Sequence, residues 1–123
     1  WLESTLLVST SCVVQIAPYI HGIFVDLKLQ RENNLQTRDY IQHLKTRIKI
    51  LKDIGVEVRY RLVFVDSILD DAALIINMLK DLDIDSLEIL NCHNLARKKY
   101  EKLGLSFIDC TPNAEKLSFF CKC

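Results

Sequence analysis

From Val56 to Leu62 apolar and charged residues alternate, with Val56, Val58, Tyr60 and Leu62 on one side and Glu57, Arg59 and Arg61 on the other. Side chains two apart on a strand share a face, so this period predicts a strand with one apolar and one charged surface. Val63, Phe64 and Val65 continue apolar whatever their parity. That predicts a strand end buried on both faces, as parallel strands are. Ile23 to Val25, running on to Lys28, and Leu87 to Leu90 read as two further strands.

Between the first two strands Ile41, Leu44, Ile48 and Leu51 recur at helical spacing. They predict a helix of roughly four to five turns, with Gly55 as its left-handed stop. Asp70 or Asp71 can cap a second helix whose apolar face is Leu74, Ile75, Met78, Leu79 and Leu82. A shorter helix from about Ala96 to Leu103 ends at Gly104, and Pro112 opens a last amphipathic segment with Ala114, Leu117, Phe119 and Phe120. Val13, Val14, Ile16 and Ala17 predict one more helix ahead of the first strand, broken near Pro18. The predicted order is α-β-α-β-α-β-α-α. With connections too long for hairpins, it implies an α/β fold with a parallel sheet and right-handed crossovers.

A chain of 123 residues suits a single domain over positions 1–123 but is short for a complete α/β barrel, which takes ~250. Sixteen basic residues balance sixteen acidic ones, so no overall charge steers the chain to nucleic acid or an anionic membrane. No apolar run approaches the ~20 residues that span a bilayer, and no signal-peptide pattern appears. The expected compartment is the cytosol, with neither nucleic acid nor membrane as partner. The five cysteines, Cys12, Cys92, Cys110, Cys121 and Cys123, contain no C-x-x-C and read as reduced thiols. Cys121 and Cys123 could join His93 on a metal, but a single C-x-C is a weak signal.

Asp26 and Lys28 are two apart at the carboxyl end of a predicted strand, where α/β proteins gather their ligands. They either pair with each other or bind a polar ligand or cation. Arg61 can hold a carboxylate or a nucleotide-like group through its planar donors, or form an internal ion pair with Glu57 or Asp26. His93, just past the third strand, can donate to a ligand or satisfy a loop carbonyl. His21 and His43 read as surface residues, and Arg97-Lys98-Lys99 as the solvated flank of a short helix. The chain contains no glycine-rich phosphate loop, nucleophile elbow or zinc-type spacing.

Four stretches, in order, resemble the carboxyl-terminal half of the radical S-adenosylmethionine activating enzymes that install glycyl radicals, the family of pyruvate formate-lyase activating enzyme. Ile16-Ala17-Pro18-Tyr19-Ile20 with Phe24-Val25-Asp26-Leu27-Lys28 resembles the family's PY(I/V)DLFLYDIK. Val58 to Val65 resembles the I-R-x-P strand, Glu88-Ile89-Leu90-Asn91-Cys92-His93-Asn94-Leu95 resembles ELLPYHxLG, and Lys99-Tyr100-Glu101-Lys102-Leu103-Gly104 resembles KYExLG. The resemblance implies a partial (β/α) barrel of the radical SAM type, with parallel strands and alternating helices. It also implies that Asp26, Lys28, Arg61 and His93 line an S-adenosylmethionine pocket, and that Asp26 holds a monovalent cation. Glu3 falls where the family has the ETSG strand end, which would make it a second cation ligand.

Leu6 stands in place of the ETSG glycine, Asp66-Ser67 in place of proline-glycine, and Asn91-Cys92 in place of proline-tyrosine. The family's C-x-x-x-C-x-x-C loop is absent, so these residues as spaced cannot build its [4Fe-4S] centre. The implied function is therefore a partial activating enzyme. In complete form it would use S-adenosylmethionine to abstract a hydrogen atom from a partner glycyl radical enzyme, while this chain alone would be inactive and carries no catalytic residue of its own. The alternative is a non-catalytic α/β module that forms a homo-oligomer through an exposed sheet edge, or binds a nucleotide-like ligand without a cluster.

Overall fold

The alternation between Glu57 and Leu62 becomes strand Glu57–Phe64, and its two faces organise the molecule. The structure, a computed structural model, describes residues 1–28, 34–64, 72–84, 86–91, 94–107, 109, 114–115 and 118. Within them the strands are β1 (Leu2–Ser4), β2 (Gly22–Leu27), β3 (Glu57–Phe64) and β4 (Leu87–Asn91). The helices are α1 (Thr10–Ile16), α2 (Asn34–Ile54), α3 (Ala72–Asp81) and α4 (Arg97–Lys102). The sheet runs β1-β2-β3-β4 with every neighbouring pair parallel.

A strand laid each time beside the one before it, through right-handed crossovers, puts every connecting helix on the same face. Burial agrees. Ile23, Val25 and Leu27 of β2 and Tyr60 and Leu62 of β3 form one core with Val13 of α1, Ile41, Leu44, Ile48 and Leu51 of α2, and Ile75 of α3. Each aliphatic side chain buried this way contributes roughly 1.5–3 kcal/mol. The opposite parity, with Glu3, Phe24, Asp26, Arg59 and Arg61, lies on the face that these helices leave open.

Two chain reversals follow from backbone chemistry. Gly55, at φ 91°, ends α2. Its N–H donates to Lys52 O and that of Val56 to Leu51 O, both at 3.0 Å, which satisfies carbonyls that the helix end would leave orphaned. In the loop after β1, Leu6 also takes a left-handed conformation, φ 54°, which costs a non-glycine residue about 1–2 kcal/mol. Its buried side chain and an N–H bond to Ser4 Oγ at 3.0 Å hold it there.

Several sequence expectations change. The described chain opens on β1, which the predicted order omitted, and α2 begins at Asn34 and is longer than predicted. Val63 is 38 % exposed rather than buried, because α1, α2 and α3 pack on the other face of the sheet. Asp70, Asp71, Val65 and Pro112, and the side chain of Leu74, lie outside the described residues. The break near Pro18 is a 3-10 turn, Ala17–Tyr19. Among the described residues no helix is long and apolar enough to cross a membrane.

Candidate functional site

On the open face the register sets Glu3, Phe24 and Arg59 in one row across three strands and Asp26, Arg61 and Glu88 in the next. Arg61 is the centre of this surface. Its Nε donates to Asp26 Oδ1 at 2.9 Å and its Nη1 to Glu3 Oε1 at 3.1 Å. Its guanidinium carbon stands 4.8 Å from the Phe24 ring centroid, within cation–π range. The guanidinium of β3 thus ties together carboxylates from β1 and β2. The hydrogen bond with Glu3, and then those with Asp26, push the Arg61 pKa above its already high ordinary value against an opposing effect of burial, so the group stays cationic.

Towards the amino ends of the strands the same face is aromatic. The Trp1 ring lies over Gly22, where a Cβ would come within 2.8 Å of three ring atoms, so only glycine admits this approach. Trp1 packs 5.0 Å from Phe24 at 38°. Arg59 covers Trp1 at 4.7 Å and donates to Glu57 at 2.8 Å.

The expected residues fall out as follows. Glu3, Asp26 and Arg61 come together. Asp26 pairs with Arg61 and not with Lys28, and Glu57 pairs with Arg59 and not with Arg61. Lys28 is exposed beyond the end of β2, and its backbone N–H donates to Tyr40 Oη at 3.2 Å. His93, Cys92, Cys110, Cys121 and Cys123 lie outside the described residues. His21 and His43 are exposed, and so is Cys12. Arg97 stacks at 5.3 Å on Phe107 and approaches Asp109 at 3.7 Å, as a solvated flank does. Phe24 and Trp1 were not singled out from the sequence. Phe24 shares the parity of Asp26, which was the available signal.

Among the described residues no group of three or more His, Cys, Asp and Glu side chains is arranged to hold a metal ion. Glu3 and Asp26, the two expected cation ligands, converge on the Arg61 guanidinium, which supplies the positive charge between them. Cys12, in α1, is the one cysteine described. An iron–sulfur cluster does not fit this donor set.

Tyr40, on α2, closes the outer end of β2 through its bond with Lys28. Burial, the largest influence, raises its pKa above 10.0; the hydrogen bond from Lys28 opposes this, and the charge of Asp26 adds to it. Since the folded state favours the neutral phenol, its contribution to stability is complete below the ordinary tyrosine value and is lost as pH rises through the higher folded value. Urea midpoints from about pH 8 to pH 11 should therefore fall at the alkaline end, and less steeply in Tyr40→Phe. Identical slopes in the two proteins would show that Tyr40 titrates alike folded and unfolded.

No protein-family model matches the chain, and neither a curated protein nor a solved structure matches it.

Proposed function

We propose that this chain is the cofactor-facing, carboxyl-terminal half of a radical S-adenosylmethionine activating enzyme, a partial barrel whose lumen side is the open face of the sheet. The observation that carries the reading is the convergence of Glu3, Asp26 and Arg61, from three adjacent strands, on the face of the parallel sheet opposite α1, α2 and α3. Parallel sheets are ordinarily covered on both sides, and a barrel puts such a face around a ligand. Leu6 supports the reading too, since it is held at φ 54° where the resembling motif has glycine.

The residues on this face suit the polar ends and the rings of S-adenosylmethionine. Asp26 and Glu3 accept from hydroxyl or ammonium donors. Arg61 uses Nε and Nη1 on the two carboxylates, which leaves three of its five N–H groups for an incoming carboxylate. Phe24 offers an apolar ring. When bound beside a reduced cluster, S-adenosylmethionine supplies the radical chemistry; this chain's residues bind, orient and exclude water. Because the sequence contains no C-x-x-x-C-x-x-C, the proposal requires an electron source outside these residues.

Calorimetric titration of the purified chain with S-adenosylmethionine tests the reading. Binding in the micromolar to millimolar range is expected, with a loss of about 10-fold or more in Arg61→Gln and in Asp26→Asn. An in-frame C-x-x-x-C-x-x-C encoded ahead of Trp1 is the matching expectation for the gene. No heat at millimolar ligand, or unchanged affinity in both variants, would leave the Arg61 cluster a structural ion network. A non-catalytic module that self-associates would then be favoured, since β1 and β4 are both edges and edges are pairing templates.

A further inference from the structure

A second concavity lies on the helix side of the sheet, apart from the Arg61 cluster. The loop after β1 meets the amino-terminal half of α2 around a cleft of about 350 Å³ lined by Leu7, Val8, Ser9, Asp39, Tyr40, His43 and Arg47. That volume is at the lower end for small-molecule sites, and the cleft is open to solvent rather than enclosed. Asp39, His43 and Arg47 recur every four residues and so form one stripe along α2. The left-handed turn at Leu6 sends that side chain into the core and leaves Leu7 and Val8, 61 % and 43 % exposed, on the opposite rim.

Two features of this cleft lack an explanation among the described residues. Two large aliphatic side chains face solvent next to a charged helix stripe, and the Nε of Arg47 is buried with no hydrogen-bond partner among the described residues. A guanidinium is a planar fork matched to a carboxylate. Long helical side chains lean back towards the helix amino terminus, which brings Arg47 to the level of His43, about one turn from Asp39. Since Arg47 Nε is sealed from solvent, a ligand carboxylate would meet the outer guanidinium nitrogens beside His43, with its aliphatic body against Leu7 and Val8 and a donor at Asp39. The Asp39 carboxylate disfavours a phosphate dianion there.

We propose that this cleft binds a short aliphatic carboxylic acid carrying an amino or hydroxyl donor, the chemistry shared by a branched amino acid and its 2-hydroxy analogue. The site is independent of the open face. Its occupancy would bear on the β1 and β2 ends, because Tyr40 joins the cleft to the Lys28 backbone and the Leu6 turn joins it to Ser4.

Nitrogen-15 NMR titration of the whole chain with leucine, 2-hydroxy-4-methylpentanoate, 4-methylpentanoate, 3-methylbutylamine and inorganic phosphate tests this. Leucine or the hydroxy acid should shift the amides of Leu7, Val8 and Ser9 and of Asp39, His43 and Arg47. The plain acid should bind more weakly, and the amine and phosphate not at all. Arg47→Gln should weaken binding by about 10- to 100-fold. Asp39→Asn, an exposed and structurally mild change, should erase the preference for the donor-bearing acid while plain-acid binding persists. The preference of leucine over the hydroxy acid, or the reverse, identifies the donor. The proposal is overturned by no shifts at about 10 mM, by shifts confined to the open face, or by a preference that survives in Asp39→Asn. S-adenosylmethionine binding on the open face should be unaltered by both substitutions, so the two sites can fail separately.

Discussion

Replacing Leu44 by alanine is expected to lower the stability of this chain by about 3–5 kcal/mol, enough to bring it close to unfolding. Leu44 is 0 % exposed in the middle of α2, within the core that α2 forms with β2 and β3. Truncation removes the transfer energy of the lost methyl groups and leaves a cavity that the sheet on one side and the helix backbone on the other cannot readily fill. Among the described residues the core lies on the helix side of the sheet, which magnifies the effect. A domain usually holds only about 5–15 kcal/mol in reserve, and a sheet packed on one face has less apolar burial than one packed on both. Urea unfolding followed by circular dichroism should show a much lower midpoint, with helix and sheet signals lost together. A loss under about 1 kcal/mol, the size of an ordinary surface change, would mean that α2 is not docked through Leu44.

How much of this was legible in the sequence depends on whether the cause was local. The period from Val56 to Leu62 identified both faces of β3, and α2, α3 and β4 followed from equally regular runs. β1 did not, because Leu2–Ser4 has three residues and no period can be read from so few. The start of α2 was missed because Asn34 to Arg38 contains a single apolar residue, Leu35, too few to mark a turn. Val63 was misread for a different reason. The expectation of burial on both faces came from the apolar run Val63-Phe64-Val65, and an apolar run does not reveal whether a second layer covers the sheet. Within the site, Asp26 and Arg61 carried opposite charges on strands of known parity, so their pairing was among the readings available. Glu3 was accessible only through the resemblance, and the Phe24 and Trp1 contacts depend on a register between strands that no single segment encodes. The cleft beside Arg47 depends on how a loop and a helix distant in sequence come together, and it gave no sequence signal.

The sharpest consequence of the one-sided core is that neighbouring residues of β3 should respond in opposite ways to the same charge. Leu62→Asp is expected to prevent folding, whereas Val63→Asp should cost about 1 kcal/mol or less. Leu62 is 1 % exposed and points into the helix-side core; Val63 is 38 % exposed and opens onto the face of Arg61. A carboxylate at 62 would have no cation or water within that apolar cluster. It would have to bury its charge or take up a proton, and either costs several kcal/mol. At 63 it would remain hydrated, two residues from the Arg61 guanidinium. Circular dichroism of the two purified variants, with wild type alongside, decides the matter: an unfolded Leu62→Asp beside a folded Val63→Asp is the expected pair. If both unfold, the open face is covered in solution, and gel filtration of the wild-type chain tells a second copy, which gives an oligomer, from another segment of the chain, which leaves a monomer. On the half-barrel proposal, the same comparison in a longer polypeptide that closes the barrel should make Val63→Asp more costly, because the face that is open here would then line its lumen.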